Sequence, residues 1–329
     1  MPTKIEWATD TWNPITGCTK ISEACQNCYA KRMSNRLAGR CGYPEGEPFR
    51  VTLHPDKLDQ PMRWKKPRMI FVCSMGDLFH EDVPEIEIIR VFAVMADAQQ
   101  HTYLVLTKRP ERMKEVLTSP SIANDVWLMT NTGISEDKPI WPLPNVWLGV
   151  TAENQARADE RIPILLQIPA AKRFVSVEPM LGPVDLTKII IPITGKGSSQ
   201  PCAPDSVRRI NSLTGDDVLY DHKGYGVGSK RANLDWVICG GETGPGARPM
   251  HPDWVRGLRD QCQAAGVPFF FKSWGEWMPS YQTGATFELS RLKTDEVVMS
   301  GPGHGVVMKK VGKKAAGRLL DGQTWEQRP

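Results

Sequence analysis

Six short runs of apolar residues punctuate the chain, and each ends in polar residues or glycine. They are RMIFVCSMGD (Arg68 to Asp77), TYLVLTKR (Thr102 to Arg109), VWLGVTAE (Val146 to Glu153), KRFVSVEP (Lys172 to Pro179), LDWVICGGE (Leu234 to Glu242) and PFFFKSWGE (Pro268 to Glu276). Hydrophobicity without alternation is the pattern of strands covered on both faces, as in a parallel sheet. Between the runs lie stretches with helical spacing: PEIEIIRVFAVMADAQQ from Pro84, PERMKEVL from Pro110 and HPDWVRGLRDQCQAAG from His251. A proline near the start of each suits a first helical turn, and Gly266 suits a helix stop. With TWNPITGC as a first strand, the pattern predicts about seven βα-type units, hence an α/β fold built on a complete or partial TIM-like (β/α) barrel.

Two regions break the alternation. Residues 187–233 carry GKGSSQPCAPD and DHKGYGVGSKRAN with little periodicity, which predicts an inserted loop or lid. From about Gly301 the chain becomes a basic tail with Lys309, Lys310, Lys313 and Lys314. The expected organisation is therefore a barrel domain over 1–300, interrupted by the insert, and a basic tail over 301–329.

Composition narrows the function only a little. The 329 residues are 40% hydrophobic, enough for a large core, and the net charge of +4 is too small to announce a nucleic-acid partner by itself. No apolar run is long enough for a membrane span, and MPTKIEWATD lacks the parts of a secretory signal, so a cytoplasmic location without a membrane partner is expected. Thiols, rather than disulfides, are expected of the eight cysteines in that compartment. Cys41, Cys73, Cys202, Cys239 and Cys262 are scattered and read as packing or surface residues.

The polar ends of the apolar runs say more. In a parallel barrel the strand C-termini share the face that carries the site. Here they read Asp77, then Thr107, Lys108 and Arg109, then Thr151 and Glu153, Ser176 and Glu178, Gly240 to Glu242, and Lys272 with Trp274. Single residues of this set are accounted for as helix caps, whereas the whole set suggests a site. The Gly240-Gly241 pair would let a ligand approach the backbone.

The stretch GCTKISEACQNCYA sets Cys18, Cys25 and Cys28 in the spacing Cys-x6-Cys-x2-Cys, after a short strand and before a helix. Three thiolates on one loop can hold three irons of a four-iron cluster and leave the fourth open. A structural zinc would want a fourth ligand, for which His80 and Cys73 stand nearest by position. Unligated thiols are the third reading.

The three-cysteine loop after the first strand resembles the radical S-adenosylmethionine (SAM) superfamily, whose usual spacing is Cys-x3-Cys-x2-Cys, three residues shorter in the first gap. More narrowly, IEWATDTWNPITGCTKISEACQNCYA, FVCSMGDLFHEDVP, LTKRPERM, WLGVTAENQARADERIPILL, RFVSVEPMLGPVDL, WVICGGETGPGARP, VPFFFKSWGEW and GRLLDGQTWEQRP resemble a phage and bacterial three-cysteine-motif family of unassigned activity. The resemblance implies that Cys18, Cys25 and Cys28 hold a [4Fe-4S] cluster whose open iron binds SAM. Reductive cleavage of SAM would then give a 5′-deoxyadenosyl radical, fed by an electron donor such as a flavodoxin or ferredoxin. It further implies cofactor contacts from Ser74, Gly76 and Asp77, with Asp77 pairing the SAM ammonium, and from Lys108, Thr151, Glu153, Ser176 and Glu178. Glu242, Arg248 and Lys272 would face the substrate, although Glu178 and Lys272 are equally readable as an ion pair that orders the barrel mouth. Tyr29 would shield the cluster. The family's occurrence in phage makes a nucleotide, DNA or RNA the expected substrate class.

A reading from a different class is a zinc-stabilised nucleic-acid-binding protein without catalysis. It rests on Lys31, Arg32, Arg36 and Arg40 after the cysteines, on Arg63, Lys65, Lys66 and Arg68 around Trp64, and on the tail lysines. A metal-dependent hydrolase lacks clustered His and Asp ligands.

Overall fold

The apolar runs become strands of one sheet in the computed structural model, which describes residues 3, 5–130, 140–191, 207–220, 226–283, 295–300 and 305–329. The strands are β1 (Asp10–Trp12), β2 (Met69–Val72), β3 (Thr102–Thr107), β4 (Val146–Thr151), β5 (Lys172–Val177), β6 (Trp236–Gly240) and β7 (Phe269–Ser273). They lie side by side in chain order, with β1 and β7 at the two edges. The barrel is therefore partial. A complete barrel would need β7 to pair with β1, but the edge of β7 is occupied by the chain's own C-terminal residues. The Phe271 N–H donates to the Trp325 carbonyl at 2.9 Å, and the Gln327 N–H donates to the Phe269 carbonyl at 3.2 Å. An edge covered in this way is closed to other strands.

Two compact units divide the chain: residues 1–150 with 167–174, and 151–166 with 175–329. In the first, β1 pairs with β2, β2 with β3 and β3 with β4, all in parallel. Trp12, Ile70, Tyr103 and Leu104 are fully buried, as continuous apolar strands require. Helices Glu85–Asp97 and Pro110–Leu117 follow β2 and β3, the second with proline in its first turn. In the second unit β6 and β7 are parallel neighbours, and the helix Pro252–Ala265 between them ends at Gly266 in the left-handed conformation, φ 68°.

The two irregular regions carry more structure than their sequences suggest. Within 187–233, the strands Ile189–Ile191, Val207–Asn211, Asp216–Tyr220 and Gly226–Lys230 form an antiparallel sheet. Asp217 is buried in it and takes ion pairs from Arg208 at 2.6 Å and from Arg231. In the tail, Gly305–Lys310 pairs antiparallel with Glu296–Ser300 and with Trp277–Pro279, so Lys309 and Lys310 belong to a strand. Lys313 and Lys314 begin a short helix. Cys202 lies outside the described residues. No helix among them is long and apolar enough to cross a membrane.

Gly17 decides how β1 leads into the cysteine loop. Its φ is +88°, and a Cβ there would stand 2.1 Å from the Arg50 carbonyl oxygen. Gly17→Ala is expected to lower stability by about 1–3 kcal/mol or more through backbone strain alone. Denaturant unfolding checks this, and an unchanged midpoint would show that the backbone does not take this path.

Candidate functional site

The cysteine loop is fastened to the end of β2 by main-chain contacts. After β1, the Asn13 side-chain oxygen accepts from the Met75 N–H at 2.9 Å and from the Ser74 hydroxyl at 3.2 Å. The Gly17 N–H donates to the Met75 carbonyl at 2.9 Å, and the Cys18 N–H donates to the Phe49 carbonyl at 3.1 Å. Gly17 and Gly76 form a parallel bridge so close that a Cβ on Gly76 would lie 2.8 Å from the Gly17 oxygen. Cys25 ends a single 3-10 turn, Glu23–Cys25, and Cys28 caps the helix Tyr29–Leu37. The Tyr29 hydroxyl donates to the Ser74 carbonyl, which anchors the far end of the loop to the same turn.

All three loop cysteines are free and half-buried. Burial and the neighbouring Asp77 push the Cys18 thiol up to about 11, against the opposing charge of Arg109. Burial also acts to raise Cys25, but backbone hydrogen bonds at Ile21 and Ser22 and the charge of Lys108 outweigh it, and its thiol lies below the ordinary value. The Lys108 ammonium itself makes no hydrogen bond or ion pair among the described residues.

Both neighbours suggested as a fourth ligand are buried. Cys73 is buried, and burial pushes its thiol up to about 12. The His80 ring is fully buried with both nitrogens engaged: Nδ1 accepts from the Asp82 N–H at 3.1 Å, so Nε2 carries the proton and meets the Thr19 hydroxyl at 2.9 Å. Among the described residues no three His, Cys, Asp or Glu side chains converge on a point that would hold one metal ion. Three thiols without disulfide partners on one loop, with the Arg109 guanidinium on Cys18 and the Lys108 charge acting on Cys25, offer soft ligands and countercharge to an anionic metal group.

Asp77 was expected to meet the SAM ammonium. Its carboxylate instead accepts from four donors of its own chain: Thr107 Oγ1 at 2.7 Å, the Phe79 N–H at 3.0 Å, the Lys108 N–H at 3.2 Å and Arg109 Nη1 at 3.3 Å. Arg109, beside Lys108 at the end of β3, is the residue that sequence reasoning passed over. It is buried, and its fork reaches Cys18 Sγ at 3.3 Å, the Thr19 hydroxyl at 2.7 Å and Glu81 at 2.9 Å as well as Asp77. Thr107, Thr19, His80 and Glu81 join the same network. The only advance signal was the position of Arg109 at a strand end.

The remaining expected residues lie in the second unit, and most are already paired there. Glu153 meets Arg161 at 2.9 Å with both side chains fully buried, and the same arginine donates to the Thr151 carbonyl at 2.9 Å. Ser176 is buried, its carbonyl accepting from the Ala152 N–H at 3.0 Å. Glu178 and Lys272 form an ion pair, and a Cβ on Gly240 would press on both at 3.4 Å. Glu242 takes Arg248 in a two-toothed grip, Nε at 2.8 Å and Nη2 at 2.5 Å. A Cβ on Gly241 would stand 2.0 Å from the Trp274 oxygen. The Gly-Gly pair thus admits the chain's own backbone and side chains, where sequence reasoning supposed a ligand.

Two outcomes are expected. In cluster-free protein at pH 8, Cys25 should be alkylated faster than Cys18, which should react readily only as the pH approaches 11. Peptide mass spectrometry after iodoacetamide checks this, and equal rates at pH 8 would refute the assigned environments. In the second unit, Arg161→Met should destabilise by about 3–5 kcal/mol because it strands a buried carboxylate, and adding Glu153→Gln should recover much of the loss. Denaturant melts that show less than about 1 kcal/mol for the single variant would rule out a dry, charged pair.

Comparison with curated proteins and with solved structures yields no match. A family model described as a protein of unknown function, DUF5131, matches residues 2–329. The match spans nearly the whole chain, and the protein belongs to that family.

Proposed function

We propose that this chain is a radical SAM-type iron-sulfur enzyme that reductively cleaves SAM and uses the resulting radical to modify or repair a nucleotide or nucleic acid. The observation that carries the reading is the loop itself. Cys18, Cys25 and Cys28 are half-buried and without disulfide partners, with Arg109 on Cys18 and the Lys108 charge acting on Cys25. A zinc-stabilised binding protein fits less well, because its basic patch is partly spent. Arg63 is held by Asp59 at 2.5 Å, and Arg68 pairs with Asp10 at 2.6 Å while lying over the Trp64 ring at 4.5 Å.

When bound, the cluster and SAM supply a 5′-deoxyadenosyl radical after one electron from a flavodoxin- or ferredoxin-type donor. The chain's residues do the rest. The three thiolates hold the cluster, and Lys108, whose ammonium is not otherwise engaged among the described residues, takes the SAM carboxylate. Ser74, Gly76 and Asp77 form the turn against which the loop is set, and Asp77 serves the site by fixing Thr107 and Arg109. In the second unit, Thr151, Glu153, Ser176 and Glu178 are assigned to the cofactor side, the buried Glu153 by orienting β4's end. Glu242, Arg248 and Lys272 are assigned to the substrate.

Anaerobically reconstituted protein should contain four irons and four sulfides per chain. Alanine at Cys18, Cys25 or Cys28 should abolish the cluster, and Cys41→Ala should leave it intact. Stoichiometric zinc without sulfide would eliminate the proposal. Lys108→Met should keep the cluster and weaken SAM binding roughly tenfold or more by calorimetry, the loss of one charge-assisted contact.

A further inference from the structure

We infer that Arg109 is a positioning residue that clamps the cysteine loop and sets the redox potential of whatever Cys18 ligates; the second half of this inference rests on the iron-sulfur reading above. The geometry singles it out. One guanidinium donates to the sulfur of Cys18 at 3.3 Å and to the hydroxyl of Thr19 at 2.7 Å, so it grips two successive residues of the loop. It also reaches the Thr19 carbonyl at 3.4 Å, and on the sheet side it meets Asp77 at 3.3 Å and Glu81 at 2.9 Å, both in the segment after β2. The planar fork thus ties the loop to the ends of β2 and β3, a task for which a lysine has neither the reach nor the fixed angles.

The fork is itself held in place. Asp77 is locked by Thr107 Oγ1 and the backbone N–H groups of Phe79 and Lys108, so its contact gives Arg109 a fixed direction. Thr19 receives the proton of buried, neutral His80, whose pKa burial and then the Arg109 charge hold below its ordinary value. With both acceptor positions of its oxygen used by His80 and Arg109, the Thr19 hydroxyl proton points to Glu81, 3.4 Å away. Each donor in this chain has an acceptor, which fixes the guanidinium against the sulfur without freedom to turn. Two carboxylates already share the arginine charge. The exposed one, Glu81, is screened by water, so the cation remains available to a third anion at Cys18.

A cationic donor to a ligating sulfur stabilises the electron-rich state of a cluster and so raises its potential. Removing it has two separable consequences. The loop between its anchors should loosen, exposing the peptide bond after Lys20, which is itself on the surface next to Thr19. A cluster that still forms should become harder to reduce.

The test uses the full chain with Arg109→Gln and Arg109→Lys. In cluster-free protein, trypsin should cut after Lys20 about tenfold faster in Arg109→Gln than in the parent, since a charged hydrogen bond has been lost from a locally opening segment. In reconstituted protein, the midpoint potential from an anaerobic dye titration should fall in Arg109→Gln and fall less in Arg109→Lys. Faster cleavage with an unchanged potential would reduce Arg109 to a structural tie and overturn the inference, as would no change in either readout. If Arg109→Gln does not fold, Arg109→Lys decides, since loss of the fork alone should still speed cleavage and lower the potential. Should the parent protein take up no iron or sulfide, the iron-sulfur reading fails by itself, and the inference falls with it in its redox half while the cleavage rates judge the clamp.

Discussion

The close passage of Gly17 along Gly76 is the constraint on which the site depends. A side chain on Gly76 would strike the Gly17 backbone and one on Gly17 would strike the Arg50 carbonyl, and the bridge the two glycines form continues the β1–β2 pairing past the end of the sheet. Because that pairing is parallel, the residues beyond it, Cys18 on one strand and Asp77 on the other, emerge side by side. A cysteine set at a sheet edge by main-chain hydrogen bonds is held more firmly than one on a free loop, and precise placement of thiolates is what a cluster needs. The same crossing sets Asp77, which helps to hold the Arg109 guanidinium that donates to Cys18.

Electrostatics divide the labour between the two units. In the first, cations sit at the cysteine loop with acids behind them, an arrangement suited to an anionic group bound at the thiols. In the second, the acids that follow β4, β5 and β6 each have an arginine or lysine partner of their own: Glu153 with Arg161, Glu178 with Lys272, and Glu242 with Arg248. Such pairs, fully buried at Glu153–Arg161 and partly exposed at the other two, contribute little net stability, although removing one member of the buried pair is expensive. Their presence at three successive strand ends is therefore better explained by what they orient than by what they stabilise.

Much of this was legible in the sequence, and the rest was hidden for identifiable reasons. Unbroken apolar runs declare parallel strands, so the places of β2 to β7 along the chain could be read directly, and so could the cysteine loop. Partner choice could not. Asp77 looks available in the sequence because nothing there shows that Thr107, Arg109 and two backbone N–H groups turn toward it. The antiparallel sheet of the insert escaped notice because its strands, VRRIN and DDVLY among them, place a charged residue, Asp217, on the buried side. Glu178 and Lys272 form the ion pair that the sequence offered as one reading, whereas Gly240 and Gly241 invited a ligand and only three dimensions reveal the Trp274 carbonyl in that space. The C-terminal residues looked like a tail, yet Trp325 and Gln327 hydrogen-bond along β7 and keep the barrel open.

If the three loop thiols serve reductive cleavage of SAM, the products of that cleavage are the sharpest evidence for it. Cluster-bearing protein is incubated with SAM and a low-potential reductant, and 5′-deoxyadenosine is quantified together with methionine. Both products should form in equal amounts, and neither should form with Cys28→Ala. A protein that carries the intact four-iron cluster and still releases no 5′-deoxyadenosine under strong reduction would contradict the proposed chemistry.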